Sequence, residues 1–169
     1  MSIRLTRRLS LLSLLSLFSL LPMAFAQSPN PNVTTEQFQD WQVECPDSGA
    51  RCAMSQLVNN PEDGQPLMRA VMIYPEQFDG PAITFLLPLG VRLAPGLRLS
   101  VDGGEATAFP YQACIEPGCR ADLPLSSELL QRLRGGSTAT LSFIDPAGRQ
   151  RDLDISLAGF TAASSRIAP

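Results

Sequence analysis

The chain has 169 residues, 13 basic and 16 acidic side chains, a formal net charge of −3 and 44% hydrophobic residues, the make-up of a single folded domain. It contains no His, and all 13 basic residues are Arg, so there is no Lys either. Without His the chain cannot by itself build a Ser-His-Asp or Cys-His site or a His-ligated metal centre, and without Lys it has no Schiff base and no phosphate-cradling P-loop.

Arg4, Arg7 and Arg8 precede an uncharged run from Leu11 to Leu21, which Pro22 breaks and Ala24-Phe25-Ala26 ends. A basic start, a short apolar stretch and small residues at −3 and −1 are the order of a secretory signal, with the cut expected between Ala26 and Gln27. A membrane anchor is the competing reading, but a span needs about 20 apolar residues and this run is far shorter. Gln27, and not Cys, follows the cut, which argues against a lipid anchor. Removing residues 1–26 takes away three Arg and no acid, leaving ten basic against 16 acidic residues in 143, a net −6. Such a domain is a poor match for nucleic acid or for anionic lipid. No other stretch is apolar enough to span a membrane.

Residues 27–36, with Pro29, Pro31 and two Asn, read as a flexible N-terminal tether. A single β-rich domain is expected over 37–163, with a small polar tail at 164–169. Trp41, Val43 and Cys45 alternate with Gln42 and Glu44 as a half-buried strand. Cys52 to Val58 and Leu67 to Tyr74 are the next candidates, divided by the turn-rich Asn59 to Gly64. Ala82 to Leu87 is a continuous apolar run. Leu97, Leu99 and Val101 alternate with polar residues, Asp102 to Glu105 reads as a hairpin turn, and Ala106 to Cys114 as the returning strand. One helix interrupts the pattern, with Leu125, Leu129, Leu130 and Leu133 on one side, Ser126 or Ser127 at its start and Gly135-Gly136 at its end. Ala139, Leu141 and Phe143, then Leu153, Ile155 and Leu157, give two last strands joined by Asp145-Pro146-Ala147-Gly148. The expected class is all-β, an antiparallel sandwich or barrel.

Four cysteines in an exported chain imply two disulfides, with three possible connectivities. The local pairs Cys45–Cys52 and Cys114–Cys119 are favoured, because Pro46 to Ala50 and Glu116-Pro117-Gly118 are turn sequences; Pro-Gly suits the centre of a type II turn. A four-thiolate zinc site and a thiol–disulfide oxidoreductase both lack their usual C-x-x-C spacing. Asp152 and Asp154 face one way along a strand and could hold calcium or act as a carboxylate pair, but alternation with Leu153 and Ile155 makes them a solvated face. Arg149 and Arg151 could pair with them. Glu62-Asp63 decorates a loop. Trp41 beside Asp40 could be a stacking platform; its place in a strand makes it a core residue. No residue is assigned as catalytic, cofactor-binding or metal-ligating, and no cofactor is implied.

Several segments in order have a further meaning: Phe38-Gln39-Asp40-Trp41-Gln42-Val43-Glu44-Cys45, Cys52-Ala53-Met54-Ser55-Gln56, Leu87-Pro88-Leu89-Gly90-Val91-Arg92-Leu93, the Cys114 to Arg120 loop, and Ser156-Leu157-Ala158-Gly159-Phe160-Thr161-Ala162-Ala163. Together they resemble the invasion-associated locus B family of exported bacterial proteins. The resemblance implies a periplasmic or envelope-associated, broadly immunoglobulin-like β-sandwich, to which the residue reading adds one short helix and two local disulfides. It also brings a name from a pathogen in which a member promotes entry into host red cells. It carries over no catalytic residues, since the matching positions are scaffold types and fold does not fix function. The expectation is a non-enzymatic module that binds an envelope or host-surface protein. A hydrolase working through two carboxylates on envelope polysaccharide, and a periplasmic module for a small molecule or metal, are the rivals.

Overall fold

Strands that alternate apolar and polar side chains have one face to hide, and two such sheets hide it against each other. The computed structural model describes residues 32–169 apart from Gln77 and Phe78. Within them the strands are, in chain order, β1 (Val33–Phe38), β2 (Trp41–Pro46), β3 (Ala53–Asn59), β4 (Pro66–Ile73), β5 (Ala82–Pro88), β6 (Leu97–Val101), β7 (Thr107–Phe109), β8 (Ala113–Ile115) and β9 (Gly118–Pro124). Helix α1 (Ser127–Gly135), strands β10 (Thr138–Ile144) and β11 (Gln150–Ser156), and helix α2 (Phe160–Arg166) complete the chain. One sheet has the order β1-β2-β3-β4-β5-β9-β8 and the other β11-β10-β6-β7; every pairing is antiparallel. This is the expected sandwich, with its two local disulfides.

Register carries the pattern across the sheets. Val43, Met54, Met72, Ile83 and Leu123 lie opposite one another on successive strands, and all are buried. The next row, Gln56, Ala70, Phe85 and Ala121, is buried too. From the other sheet Leu99, Leu141 and Leu153 face them as a third row. Each large side chain so removed from water contributes about 1.5–3 kcal/mol. Leu125, Leu129 and Leu133 of the α1 region join this core. The Ser126 hydroxyl caps α1 by accepting the Leu129 N–H at 3.1 Å.

Gln56 is the polar member of the inner rows. Its Nε2 donates to the Ser156 carbonyl at 3.0 Å, and its Oε1 accepts the Ser156 N–H at 3.0 Å. The carboxamide thus acts as one more strand residue, pairing with the end of edge strand β11 from the opposite sheet. The indole Nε1 of Trp41 donates to the same Ser156 carbonyl at 2.9 Å. Just beyond, Gly159 has φ 85°, and a Cβ on it would lie 2.0 Å from the Phe38 carbonyl oxygen, so only Gly fits there. The chain then turns into α2, whose Phe160 meets the Trp41 ring edge-on at 5.3 Å.

The structure departs from the sequence reading in several places. The tether assigned to 27–36 is already strand from Val33, because β1 pairs along its whole length with β2. The tail assigned to 164–169 is not a loose end, because α2 runs to Arg166 and Ile167 is buried. Among the described residues there are two helices instead of one. The single returning strand over 106–114 is two strands in different sheets: Pro110, which has no N–H to donate, stands where the chain leaves β7 and crosses to β8. β9 went unrecognised because its inward residues include the small Cys119 and Ala121, which give a weak apolar alternation. Arg149 pairs with Asp145 and Arg151 with Glu62, each at 2.9 Å, and not with Asp152 and Asp154. The segment 1–26 and the cut between Ala26 and Gln27 lie outside the described residues.

Two stability tests follow from these contacts. Gln56→Leu leaves the Ser156 N–H without a partner and takes one of two donors from its carbonyl, and should cost about 2–4 kcal/mol in urea unfolding. Trp41→Phe keeps the ring but removes one of two donors to that carbonyl and should cost about 1 kcal/mol from the lost bond. The second test concerns Asp145, whose carboxylate accepts the Arg149 backbone N–H at 2.9 Å and the Arg149 Nε at 2.9 Å. First the backbone bond and then the guanidinium hold its pKa below the usual aspartate value of 3.8. A depressed carboxyl contributes its full stabilisation above its unfolded value and loses it as pH falls through the folded one. The stability advantage of wild type over Asp145→Asn should therefore be constant at neutral pH and shrink once pH drops below 3.8, read from urea midpoints.

Candidate functional site

The void in the core between Trp41, Phe85, Leu133 and Phe160 is about 10 Å³, no larger than one water requires. Among the described residues five large apolar side chains stay exposed on the surface: Leu57, Leu86, Leu89, Leu93 and Ile115.

Strand register gathers three of them. On the outer face of the seven-stranded sheet, Leu57 lies opposite Arg69, Arg69 opposite Leu86, and Leu86 opposite Arg120. One step along, Pro88 lies opposite Gly118, and Gly118 opposite Ile115. These residues line a groove of about 570 Å³ across β3, β4, β5 and β9. Leu57, Leu86 and Ile115 are 49%, 41% and 73% exposed, far more than isolated inward-facing neighbours on the same strands.

One wall of the groove is the β8–β9 hairpin. Cys114 and Cys119 stand directly opposite each other, with Cα atoms 4.0 Å apart, and are joined by a disulfide of S–S 2.09 Å. All four residues they enclose, Ile115, Glu116, Pro117 and Gly118, line the groove. The turn is not the type II turn expected: the Glu116–Pro117 peptide is cis, and Gly118 is not among the positive-φ glycines. Gly118 is required for space instead, since a Cβ there would lie 2.3 Å from the Leu87 carbonyl oxygen. The same missing side chain deepens the groove between Pro88 and Ile115. The second disulfide, Cys45–Cys52 with S–S 2.08 Å, closes the β2–β3 hairpin on the far side of the sheet.

The electrostatics of the outer face are uneven. Arg120 donates from Nε to Asp122 Oδ1 at 2.8 Å, a bond that raises the Arg120 pKa further. Asp122 also accepts the Thr84 hydroxyl at 2.7 Å, and its backbone N–H is taken by the Gln112 Oε1. Arg69 has no ion-pair partner among the described residues and is exposed. Glu116 is the single carboxylate in the lining. Tyr111, in the crossing between β7 and β8, has its phenol pushed up to about 12 by burial, and the oxygen has no hydrogen-bond partner.

The other residues singled out in the sequence are not brought together. Asp152 accepts from the Gln150 amide at 3.0 Å and Asp154 from the Thr140 hydroxyl at 2.9 Å, both on the exposed face of the four-stranded sheet. Glu62 sits in the β3–β4 loop, tied to Arg151. Trp41 is 1% exposed and is core, not a stacking platform. Among the described residues no group of three or more Cys, Asp or Glu is placed to hold a metal, and no helix is long and apolar enough to cross a membrane. The groove itself was not visible in the sequence. Its one local signal is that Leu57, Leu86 and Ile115 fall on the polar phase of their strands.

Comparison with known proteins agrees with this scaffold. A family model described as "Invasion associated locus B (IalB) protein" matches residues 41–168. An Invasion protein B homolog of Brucella abortus (strain 2308) is 30% identical over 155 residues, covering 85% of this chain and 86% of that protein. The homolog of Brucella abortus biovar 1 (strain 9-941) matches with the same identity and coverage. In three dimensions the fold is similar to the crystal structure of invasion associated protein B from Bartonella henselae, with TM-score 0.71 and 20% identity, over 79% of this chain and 95% of that one. A match over residues 41–168, from the Trp41 strand through α2, makes the chain a member of the invasion associated locus B family.

Proposed function

We propose that the chain is an exported, non-enzymatic interaction module of the bacterial envelope, which docks an envelope or host-surface protein in the groove on its seven-stranded sheet. The observation that carries this reading is the cluster of Leu57, Leu86 and Ile115, exposed together on a sheet face where polar residues are the rule. The groove is open to solvent on one side, and small ligands bind in pockets that bury most of their surface. A protein partner covers such a groove completely and excludes water from it. The hydrolase reading needs two carboxylates flanking a bond, whereas the lining offers Glu116 alone, and Asp152 and Asp154 are bonded within their own sheet.

The export reading is supported by the Arg4 to Ala26 segment and by two disulfides, which persist in an oxidising compartment. The relatives' printed name, Invasion protein B, is consistent with a partner outside the cytoplasm.

Intact-mass measurement of the protein purified from the envelope should give the mass of residues 27–169 with both disulfides formed. A mass including residues 1–26 would refute the cut at Ala26. Docking is tested in cells with a photoreactive phenylalanine analogue placed at Leu86, Ile115 or Asp154. Protein adducts are expected at the first two positions and not at Asp154; absence of adducts at the groove, or equal adducts at all three, would overturn the docking surface.

A further inference from the structure

The chemistry of the groove restricts what can fill it. Resting on the docking reading above, we infer that the partner segment presents a carboxylate between two apolar side chains, and that Arg69 receives it. Arg69 is the cross-strand neighbour of both Leu57 and Leu86, and such neighbours have Cβ atoms about 5 Å apart. No partner can cover the two leucines without also covering the guanidinium between them. A buried charge without a counter-charge is strongly unfavourable, so a partner that seals this lane must supply an acceptor. The protein does not supply one itself: Arg69 has no ion pair among the described residues, and Asp122 is held by Arg120 and Thr84. A guanidinium presents a planar fork of N–H donors that a carboxylate matches with two parallel bonds.

Charge complementarity points the same way. The chain beyond residue 26 is acidic, with ten Arg against 16 acidic residues, yet the groove lining holds two Arg and one Glu. With Arg120 neutralised by Asp122, Arg69 is the guanidinium of the lining that has no ion pair among the described residues. Leu57 and Leu86 are two strand spacings apart, about 9.6 Å. That distance is matched by residues seven apart in a helix, about 10.5 Å, which share one face, whereas residues three apart in an extended segment point to opposite faces. The acidic residue then lies three or four positions from each apolar one, on the same face.

The test uses phage-displayed random dodecapeptides selected on the disulfide-bonded protein, with counter-selection on the Leu57→Gln, Leu86→Gln double variant. Peptides lost on the double variant should be enriched in an Asp or Glu three or four positions from each of two apolar residues seven apart. Arg69→Glu, checked for unchanged thermal unfolding, should weaken such a peptide at least tenfold, and replacing the peptide's acid by Lys should restore binding to Arg69→Glu. Groove-dependent peptides without acidic enrichment, or affinity unchanged in Arg69→Glu, would overturn this inference and leave the docking reading standing. No groove-dependent peptide at all would overturn both. A self-association in sedimentation velocity that the double variant abolishes would assign the groove to a second copy of the chain and likewise overturn the inference.

Discussion

The sandwich depends on a single buried amide. The Gln56 carboxamide pairs with both polar groups of Ser156, so a side chain of the seven-stranded sheet completes the hydrogen bonding of an edge strand in the other sheet. Two sheets packed by apolar contact alone can slide, because dispersion and hydrophobic burial have little direction. A pair of bonds to one named peptide group fixes their relative position. The Trp41 indole adds a third bond to the same carbonyl, and Trp41 in turn receives the edge of Phe160. Since α2 begins at Phe160 and docks beside β2, the helix, both sheets and the β1–β2 turn all meet at this point.

Three of the five segments that carry the resemblance meet at this point. Phe38 to Cys45 contains the β1–β2 turn and Trp41; Cys52 to Gln56 contains the buried amide; Ser156 to Ala163 contains the bonded peptide, the obligatory Gly159 and Phe160. Segments far apart in the chain are required together because they build one junction. The other two segments, Leu87 to Leu93 and Cys114 to Arg120, lie away from this junction and contribute Leu87, Pro88, Arg120 and the enclosed hairpin loop to the groove.

That surface has its own logic. The Cys114–Cys119 bridge holds a three-residue edge strand, β8, against β9, and the enclosed loop becomes one wall of the groove. The bridge does two things at once: it closes an otherwise short and weak sheet edge, and it presents Ile115 to solvent. Gly118 serves both as well, since it permits the close approach of the Leu87 carbonyl and leaves space above it. Rigid walls reduce the ordering cost of binding, which is the usual benefit of a preorganised site. Arg69 stands between Leu57 and Leu86 in this groove, where the proposed partner would have to answer its charge.

How much of this was legible beforehand divides along physical lines. The alternation of Leu97, Leu99 and Val101, of Ala139, Leu141 and Phe143, and of Leu153 and Ile155 determined strands with one buried face, and the Leu periodicity with Ser126 and Gly136 determined α1. These signals are local, so the sequence contains them directly. The closely spaced cysteines with turn residues between them likewise made local bridges the favoured pairing. β1 and α2 were missed because their stability comes from docking: β1 from pairing with β2, and α2 from Phe160, Ala163 and Ile167 packing into the core. The partners of Gln56, a hundred residues away, and the alignment of Leu57, Arg69, Leu86 and Arg120 exist only once strand register is set. Sequence by itself determined the class of fold and its staples, because those follow from residues near one another in the chain. The junction that fixes the two sheets and the groove proposed for docking were decided by tertiary structure, because both are made by side chains that meet only across it.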